Sequence, residues 1–182
     1  MDRVKEDELI LVDLFDREIG TGPKLRVHRE NRLHRAFSVF ILHEDRMLIQ
    51  RRAFDKYHSG GLWANACCSH PRAGEDLAEA VNRRLFEELG IRTETEELFD
   101  FVYFQQYEGL SEYEYDHVFA GDYDGPLQVN TDEIHEVRWV PMEELMEDLL
   151  ASPEKYCAWF RIAFPKVAAW WKKKQEAKGL QA

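Results

Sequence analysis

The residues able to do chemistry in this chain are concentrated in a few places. Between Trp63 and Ile91 lie the adjacent pair Cys67 and Cys68, then Ser69, His70 and Pro71. A helix-like run carrying Arg83, Arg84, Glu87 and Glu88 follows with no spacer. Cys68 stands two residues from His70, so in an extended segment both face one cleft while Cys67 points elsewhere. That makes Cys68 a candidate base, provided neighbouring cations lower its pKa. Cys67 and Cys157 read as small buried hydrophobes. A second signal comes from His28, His34 and His70 with Glu112 and Glu114. Glu112 and Glu114 lie two apart in strand-like sequence and leave the same face, which is costly unless a cation or a shared proton relieves them. Three imidazoles with carboxylates suit Zn, Mn, Fe or Co better than Mg alone, although the scattered spacing is no metal motif in itself. Glu114 is the candidate acid. Arg84 supplies a planar fork that matches phosphate, although Arg84 and Glu88 also make an ordinary i,i+4 pair.

The elements that must position these groups are legible in outline. Asp76 begins a helix, with Glu79 completing a capping-box pattern. Leu77, Val81, Leu85 and Leu89 give it one apolar stripe, and Gly90 stops it. Residues 8–16 read as a strand, 20–23 as a turn, and Lys24 and His28 fall in a polar loop ending at Arg32. The run 34–42 is rich in β-branched and aromatic residues, and with 47–51 it forms a hairpin. Further strands are expected over 98–107, 113–121 and 136–140. Pro141 opens a helix to about Leu150. A long amphipathic segment runs from Pro153 to about Gln175, where Pro165 should break or kink it. The expectation is an α+β domain, a mixed sheet between helices.

The whole chain limits the function classes. Its 182 residues suit a single domain, 1–182, with a core over about 8–160 and a C-terminal helical segment to about 178. The 45% apolar and 32% charged content is that of a globular protein. A net charge of −11 argues against nucleic acid or an anionic membrane as partner. An anionic substrate would need local cations, for which Arg51, Arg52, Lys56, Arg83 and Arg84 are available. The charged start has no signal-peptide core, no window approaches a membrane span, and three cysteines make no disulfide framework. A reducing cytoplasm follows as the expected compartment. His43, His58, His117 and His135 have no motif partner and read as surface residues.

The stretch from Ser69 to Ile91 resembles the Nudix box, G-x5-E-x7-R-E-U-x-E-E-x-G-U with U aliphatic. Glu75, Arg83, Leu85, Glu87, Glu88, Gly90 and Ile91 match it. Ser69 replaces the opening Gly, and Arg84 replaces the Glu after the Arg. Hydrolytic Nudix enzymes use that Glu to hold metal against a diphosphate, whereas a guanidinium binds phosphate and not metal. Together with NACCSHP, this resembles the type I isopentenyl diphosphate isomerases, over about Glu8 to Trp159. The resemblance implies a Nudix-like fold and conversion of isopentenyl to dimethylallyl diphosphate by protonation and deprotonation. It implies Cys68 as base, Glu114 as acid and Tyr103 as the phenol beside it. Lys24, Arg52, Lys56 and Arg84 would hold the diphosphate, and Trp159 would form an aromatic wall. One divalent metal, Zn²⁺, Mn²⁺ or Mg²⁺, would be bound by His28, His34, His70, Glu112 and Glu114. Mg²⁺ would accompany the diphosphate with Glu88. The partner is then a small allylic or homoallylic diphosphate, and the chain a monomer or weak homodimer. The family often has Trp-Pro where this chain has Ser59 and Gly60. The rival readings are a Nudix hydrolase of a nucleoside diphosphate and an inactive Nudix-fold binding module. Arg84 argues against the first, and retention of Cys68, His70, Glu112 and Glu114 argues against the second.

Overall fold

The structure, a computed structural model, describes residues 7–56 and 58–179. The charged start over 1–6 lies outside the described residues. In chain order the elements are β1 (Glu8–Val12), β2 (Glu18–Pro23), α1 (Lys24–Arg29), β3 (His34–His43) and β4 (Arg46–Arg52). There follow β5 (Trp63–Asn65), β6 (Cys67–Ser69), α2 (Leu77–Leu89), β7 (Thr95–Tyr107) and β8 (Leu110–Asp122). β9 (Ile134–Pro141), α3 (Met142–Ala151) and α4 (Ala158–Gly179) complete the fold, with a 3-10 turn at Pro153–Lys155 between the last two helices.

Strand β3 is the hub. It runs parallel to β8 along one side, with His34 opposite Glu114 and Ser38 opposite Val118. Along its other side it meets β1, β6 and β4 in turn, all antiparallel. The pairing with β6 sets Ser38 opposite Cys68. β4 then carries β5 and β9. The sequence of β3 explains its position, because Ala36 to Leu42 is almost wholly apolar and buried on both faces. Alternation sends Phe40 and Leu42 to a core with Phe160, Phe164 and Val167 of α4. Phe37, Val39 and Ile41 go to a core with Val81, Leu85 and Leu89 of α2. The mixed sheet is therefore held between helices, as expected.

Helix α2 follows its sequence signals. Asp76 Oδ1 accepts from the amides of Ala78 and Glu79 at 2.9 and 3.2 Å. Gly90 ends the helix at φ 69°, and a Cβ there would meet Gln128 Cβ at 2.8 Å, so glycine is required on both counts.

Three local expectations are corrected. Residues 18–23 form strand β2, because their backbone pairs with β1 along most of its length. Lys24–Arg29 is a helix, not a loop. Pro23 sets φ −58° at its start, Val27 and His28 are buried, and the basic last turn suits the helix dipole. Pro165 does not break α4. Pro165 and Arg161, whose carbonyl loses its partner, lie on the exposed side, while Ala163, Phe164 and Val167 hold the other side in the core. That packing outweighs the ~3 kcal/mol cost of an interior proline.

Candidate active site

Helix α1, the start of β3, the residue after β6 and the middle of β8 converge on one buried polar cluster. His28 donates Nδ1–H to the Lys24 carbonyl at 2.7 Å, and His34 donates Nδ1–H to the Arg32 carbonyl at 2.8 Å. A carbonyl only accepts, so Nδ1 carries a proton in both rings, and in the neutral His28 ring Nε2 is the lone-pair nitrogen. His70 Nε2 lies 3.0 Å from Glu114 Oε1, and His34 Nε2 lies 3.5 Å from the same oxygen. One ligand atom from each of His28, His34, His70 and Glu114 lies within 4.8 Å of all the others. Burial pushes His28 down to about 4 and His70 to about 3, so both are neutral, the form that binds metal. Three imidazoles beside a carboxylate, two of them, His28 and His34, oriented from behind by carbonyls, fit a divalent ion.

Glu112, the fifth expected ligand, shares the face of Glu114 but turns elsewhere. Its Oε1 lies 3.1 Å from His58 Nε2, and its Oε2 lies 3.2 Å from both the Tyr103 and the Tyr107 hydroxyl oxygens. Tyr103 gives its one hydroxyl proton to Glu114 Oε2 at 2.6 Å, so the phenol oxygen stands between the two carboxyls. The pair titrates apart. Burial and the neighbouring Glu114 charge push Glu112 well above the carboxylate range. Burial also raises Glu114, but the approach of His34 and the hydrogen bond with His70 outweigh it and hold Glu114 well below that range.

Strand β6 places the two cysteines as the alternation requires. Cys67 is buried in the α2 core, and Cys68 lines the cavity beside Ser69 and His70. The Cys68 thiol donates to Asn65 Oδ1 at 3.1 Å. Trp159 Nε1–H points at both the Cys68 sulfur, 3.0 Å away, and Asn65 Oδ1, 3.1 Å away. Trp159 is thus both a core residue of α4 and a wall of the cavity. Burial pushes the Cys68 thiol well up, and the pull of Arg52 alone does not compensate, so the lowered pKa expected of a base would have to come from the metal together with the cations.

Cations line the same cavity, whose volume is about 180 Å³. Lys24, Arg52, Lys56, Arg83 and Arg84 all line it. Arg51, one residue from Arg52 along β4, points away, donates to the Gly61 carbonyl at 2.9 Å and stacks on Phe54. Arg83 makes a two-pronged pair with Glu75 at 2.6 and 2.9 Å. Arg84 pairs with Glu87 at 2.9 Å and with the buried Glu88. Glu88 is absent from the described cavity lining, because its carboxyl is turned to Arg84 and Gln50. Glu133, which carried no sequence signal, binds Lys56 at 2.6 Å and approaches Arg84 at 3.8 Å.

Two of the histidines read as surface residues are buried. His58 faces Glu112 inside the cavity. His117 lies remote from it between Asp16 and Glu97, at 3.1 and 2.6 Å. The missed group of His58, Tyr107 and Asn65 comes from separate strands and loops, and only the tertiary fold brings it together.

The sequence matches the NUDIX domain family over residues 32–160. It is 45% identical to isopentenyl-diphosphate Delta-isomerase 2 of Aromatoleum aromaticum, over 89% of this chain and 87% of that protein. It is also 45% identical to the isopentenyl-diphosphate Delta-isomerase of Serratia proteamaculans, over 85% of this chain and 88% of that one. The chain belongs to the isopentenyl-diphosphate Delta-isomerase family. The fold of this Nudix isomerase resembles that of DR0079 from Deinococcus radiodurans, with a TM-score of 0.67 at 21% identity, over 80% and 90% of the two chains. It also resembles a MutT protein from Methanosarcina mazei, with a TM-score of 0.62 at 22% identity, over 74% and 91% of the chains. Arg84, which stands where the Nudix box has a Glu, lines the cavity.

Proposed function

We infer that the chain is an isomerase that converts isopentenyl diphosphate into dimethylallyl diphosphate by adding one proton and removing another. The observation that carries this reading is one cavity lined both by Lys24, Arg52, Lys56 and Arg84 and by Cys68, Glu114 and Tyr103. We assign the diphosphate to Lys24, Arg52, Lys56 and Arg84, which bring positive charge into a chain of net charge −11. For that anion to bind, Lys56 and Arg84 must give up part of their pairing with Glu133, Glu87 and Glu88.

Glu114 is assigned the proton given to the terminal alkene carbon, with Tyr103 holding its Oε2. Cys68 is assigned the proton taken from C2, with Asn65 and Trp159 fixing the sulfur. In the resting site the proton sits on the sulfur and Glu114 is ionised, so one proton must pass from Cys68 to Glu114 before turnover. The carboxyl then loses one proton to the alkene and the sulfur gains one from C2, which returns the site to its resting state. Burial raises the energy of a free thiolate, so Cys68 becomes a base only when cations are drawn close to it. The Trp159 ring, already under Arg52 at 5.4 Å, presents a π face that stabilises positive charge developing on carbon.

His28, His34, His70 and Glu114 would hold a divalent ion, Zn²⁺, Mn²⁺ or Mg²⁺, whose charge would make the Glu114 proton more acidic. Glu88, once Arg84 turns to the phosphates, is the carboxyl available to a Mg²⁺ travelling with the diphosphate. We further propose one domain, because β3 contributes to the cores on both faces of the sheet. The free Cys67, Cys68 and Cys157 favour a reducing compartment such as the cytoplasm. No described helix is long and apolar enough to cross a membrane.

Incubation with isopentenyl diphosphate and Mg²⁺, followed by NMR, should show dimethylallyl diphosphate with no phosphate released. Release of phosphate without isomerised product would replace this reading with hydrolysis.

A further inference from the structure

Four carboxylates line the cavity among the described residues. Glu112 and Glu114 stand beside histidines, and Asp7 pairs with Arg72 at 3.0 Å. Glu133, the residue before β9, stands instead among the cations. Its Oε2 lies 2.6 Å from Lys56 Nζ, and its Oε1 lies 3.8 Å from Arg84 Nη2. Burial works against its charge, but the hydrogen bond with Lys56 and the charges of Lys56, Arg84 and Lys24 hold its carboxyl below the ordinary range. Glu133 is therefore an anion at neutral pH. One oxygen toward each of two cations from separate parts of the chain is also how a phosphoryl group would be met.

The backbone fixes Glu133 in that place. Its amide donates to the Asn130 carbonyl at 3.1 Å, and its carbonyl accepts from the amide of Ala53, the residue after Arg52, at 3.0 Å. The Asn130 amide in turn donates to the Glu88 carbonyl at 2.8 Å, in the last turn of α2. The turn over 130–133 is thus tied to the helix that carries Arg84 and to the segment that leads into Lys56. These bonds leave the side chain as the part that can yield. It is 33% exposed, so it has a path into water when its cations are taken.

Lys56 and Arg84 line one cavity, where like charges repel unless an anion lies between them. Glu133 relieves that repulsion, but a phosphate ligand needs the same nitrogens. We propose that Glu133 is an internal counter-anion of the diphosphate site, which holds Lys56 and Arg84 in the empty cavity and is displaced by any phosphate ligand that takes them. Glu87 and Glu88 reach Arg84 from its own helix, whereas Glu133 is paired with both cations. The displacement sets a threshold for binding. A single phosphate gains little over the carboxylate it replaces. A diphosphate also reaches Lys24 and Arg52, and so binds in spite of the exchange. The inference rests on the assignment of the substrate diphosphate to these four cations.

The test is calorimetric titration of wild type, Glu133→Gln, Lys56→Gln and the double variant with inorganic pyrophosphate and with inorganic phosphate, without added Mg²⁺. Glutamine conserves volume, and the backbone bonds of residue 133 do not use its side chain, so the melting temperature should change little. A partly exposed ion pair is worth up to about fivefold in a binding constant. With two such pairs removed, Glu133→Gln should bind pyrophosphate about three- to tenfold tighter. Phosphate, weaker in wild type, should gain by a similar factor. In the Lys56→Gln background the gain should be smaller by about twofold or more, because one of the two partners is gone. Asp132→Asn, which removes the exposed charge next in the chain, should leave both affinities within about twofold of wild type. Pyrophosphate binding that is unchanged or weaker in Glu133→Gln would overturn the proposal. So would an equal gain in the Lys56→Gln background or from Asp132→Asn. The expected tightening in a protein inactive on isopentenyl diphosphate would support the counter-anion and overturn only the isomerase reading.

Discussion

Two polar regions face the same cavity and are built on opposite principles. On α2, each guanidinium is met by carboxylates of its own neighbourhood, Arg83 by Glu75 and Arg84 by Glu87 and Glu88. At the start of β3 and the middle of β8, three imidazoles from separate parts of the chain crowd around one carboxylate. The first region is a reservoir of positive charge kept in order by local ion pairs, ready to exchange partners for an anion. The second is a buried set of imidazoles around one negative charge, with His28 and His34 ordered from behind by backbone carbonyls. On the proposed reading the difference separates two tasks, with substrate charge met by Lys24, Arg52, Lys56 and the α2 residue Arg84, and proton chemistry kept on β6 and β8.

The comparison breaks most severely at the reacting groups. Cys68→Ser keeps the shape of the site but leaves a group far less able to accept a proton. A fall in kcat of ~10²–10⁴ is expected, with normal circular dichroism and melting. A variant within a few-fold of wild type would move the base to another residue, with Cys67 the first to examine.

Metal content separates the two regions next. Protein purified without added metal should hold about one tightly bound divalent ion per chain by elemental analysis. His70→Ala should lose it, and Arg84→Glu, on the other side of the cavity, should keep it. Arg84→Glu should instead raise KM for the diphosphate by at least tenfold and create little hydrolysis. Equal metal content in wild type and His70→Ala would refute the cluster, and brisk phosphate release by Arg84→Glu would refute the reading of α2.

Acid should then affect the imidazole region before the ion pairs. His28, His58 and His70 are held at about 4, 3 and 3, below their ordinary 6.5, chiefly by burial. The unfolded chain binds protons at these residues in a range where the native protein does not. Their contribution to stability is complete above pH 6.5 and falls as pH drops toward 4. Each group contributes up to ~1.4 kcal/mol per pH unit in that window. Urea titrations of metal-depleted protein should show the decline between pH 6.5 and 4, and a flat profile there would contradict the burial of neutral rings.

The smallest effect belongs to the α2 pair. Arg83 holds the Glu75 carboxyl below its ordinary 4.5, so the pair stabilises above that value and is lost as pH falls below it. Glu75→Ala should cost about 1 kcal/mol or less at pH 7, read by denaturant unfolding, because the pair is partly exposed. A cost of several kcal/mol would mean that α2 depends on this pair for more than local order.

The same contrast explains what the sequence disclosed. Helix α2 was legible in full, because cap, stripe, stop and ion pairs all lie within one short run. Cys68 and His70 were legible from alternation, and Glu112 and Glu114 were placed correctly on one face. Alternation gives the face of a strand and not the direction of a long side chain, so the turn of Glu112 toward His58 was hidden. His58 itself gave no pattern, since its partners Tyr107, Glu112 and Trp159 lie 49 or more residues away in the chain. Helix α1 was hidden because six residues are too few to show a helical period, and its formation depends on burying Val27 and His28 against the sheet.

The division between Glu114 and Cys68 is tested most directly in heavy water. Wild type and Glu114→Gln, with bound metal confirmed in both, would be incubated with isopentenyl diphosphate, and deuterium at the terminal carbon read by NMR. Wild type should place deuterium in the terminal methyl group of dimethylallyl diphosphate, and Glu114→Gln should place none there. Deuterium entering that methyl at near wild-type rate in the metal-loaded Glu114→Gln protein would contradict the assignment of Glu114 as the acid.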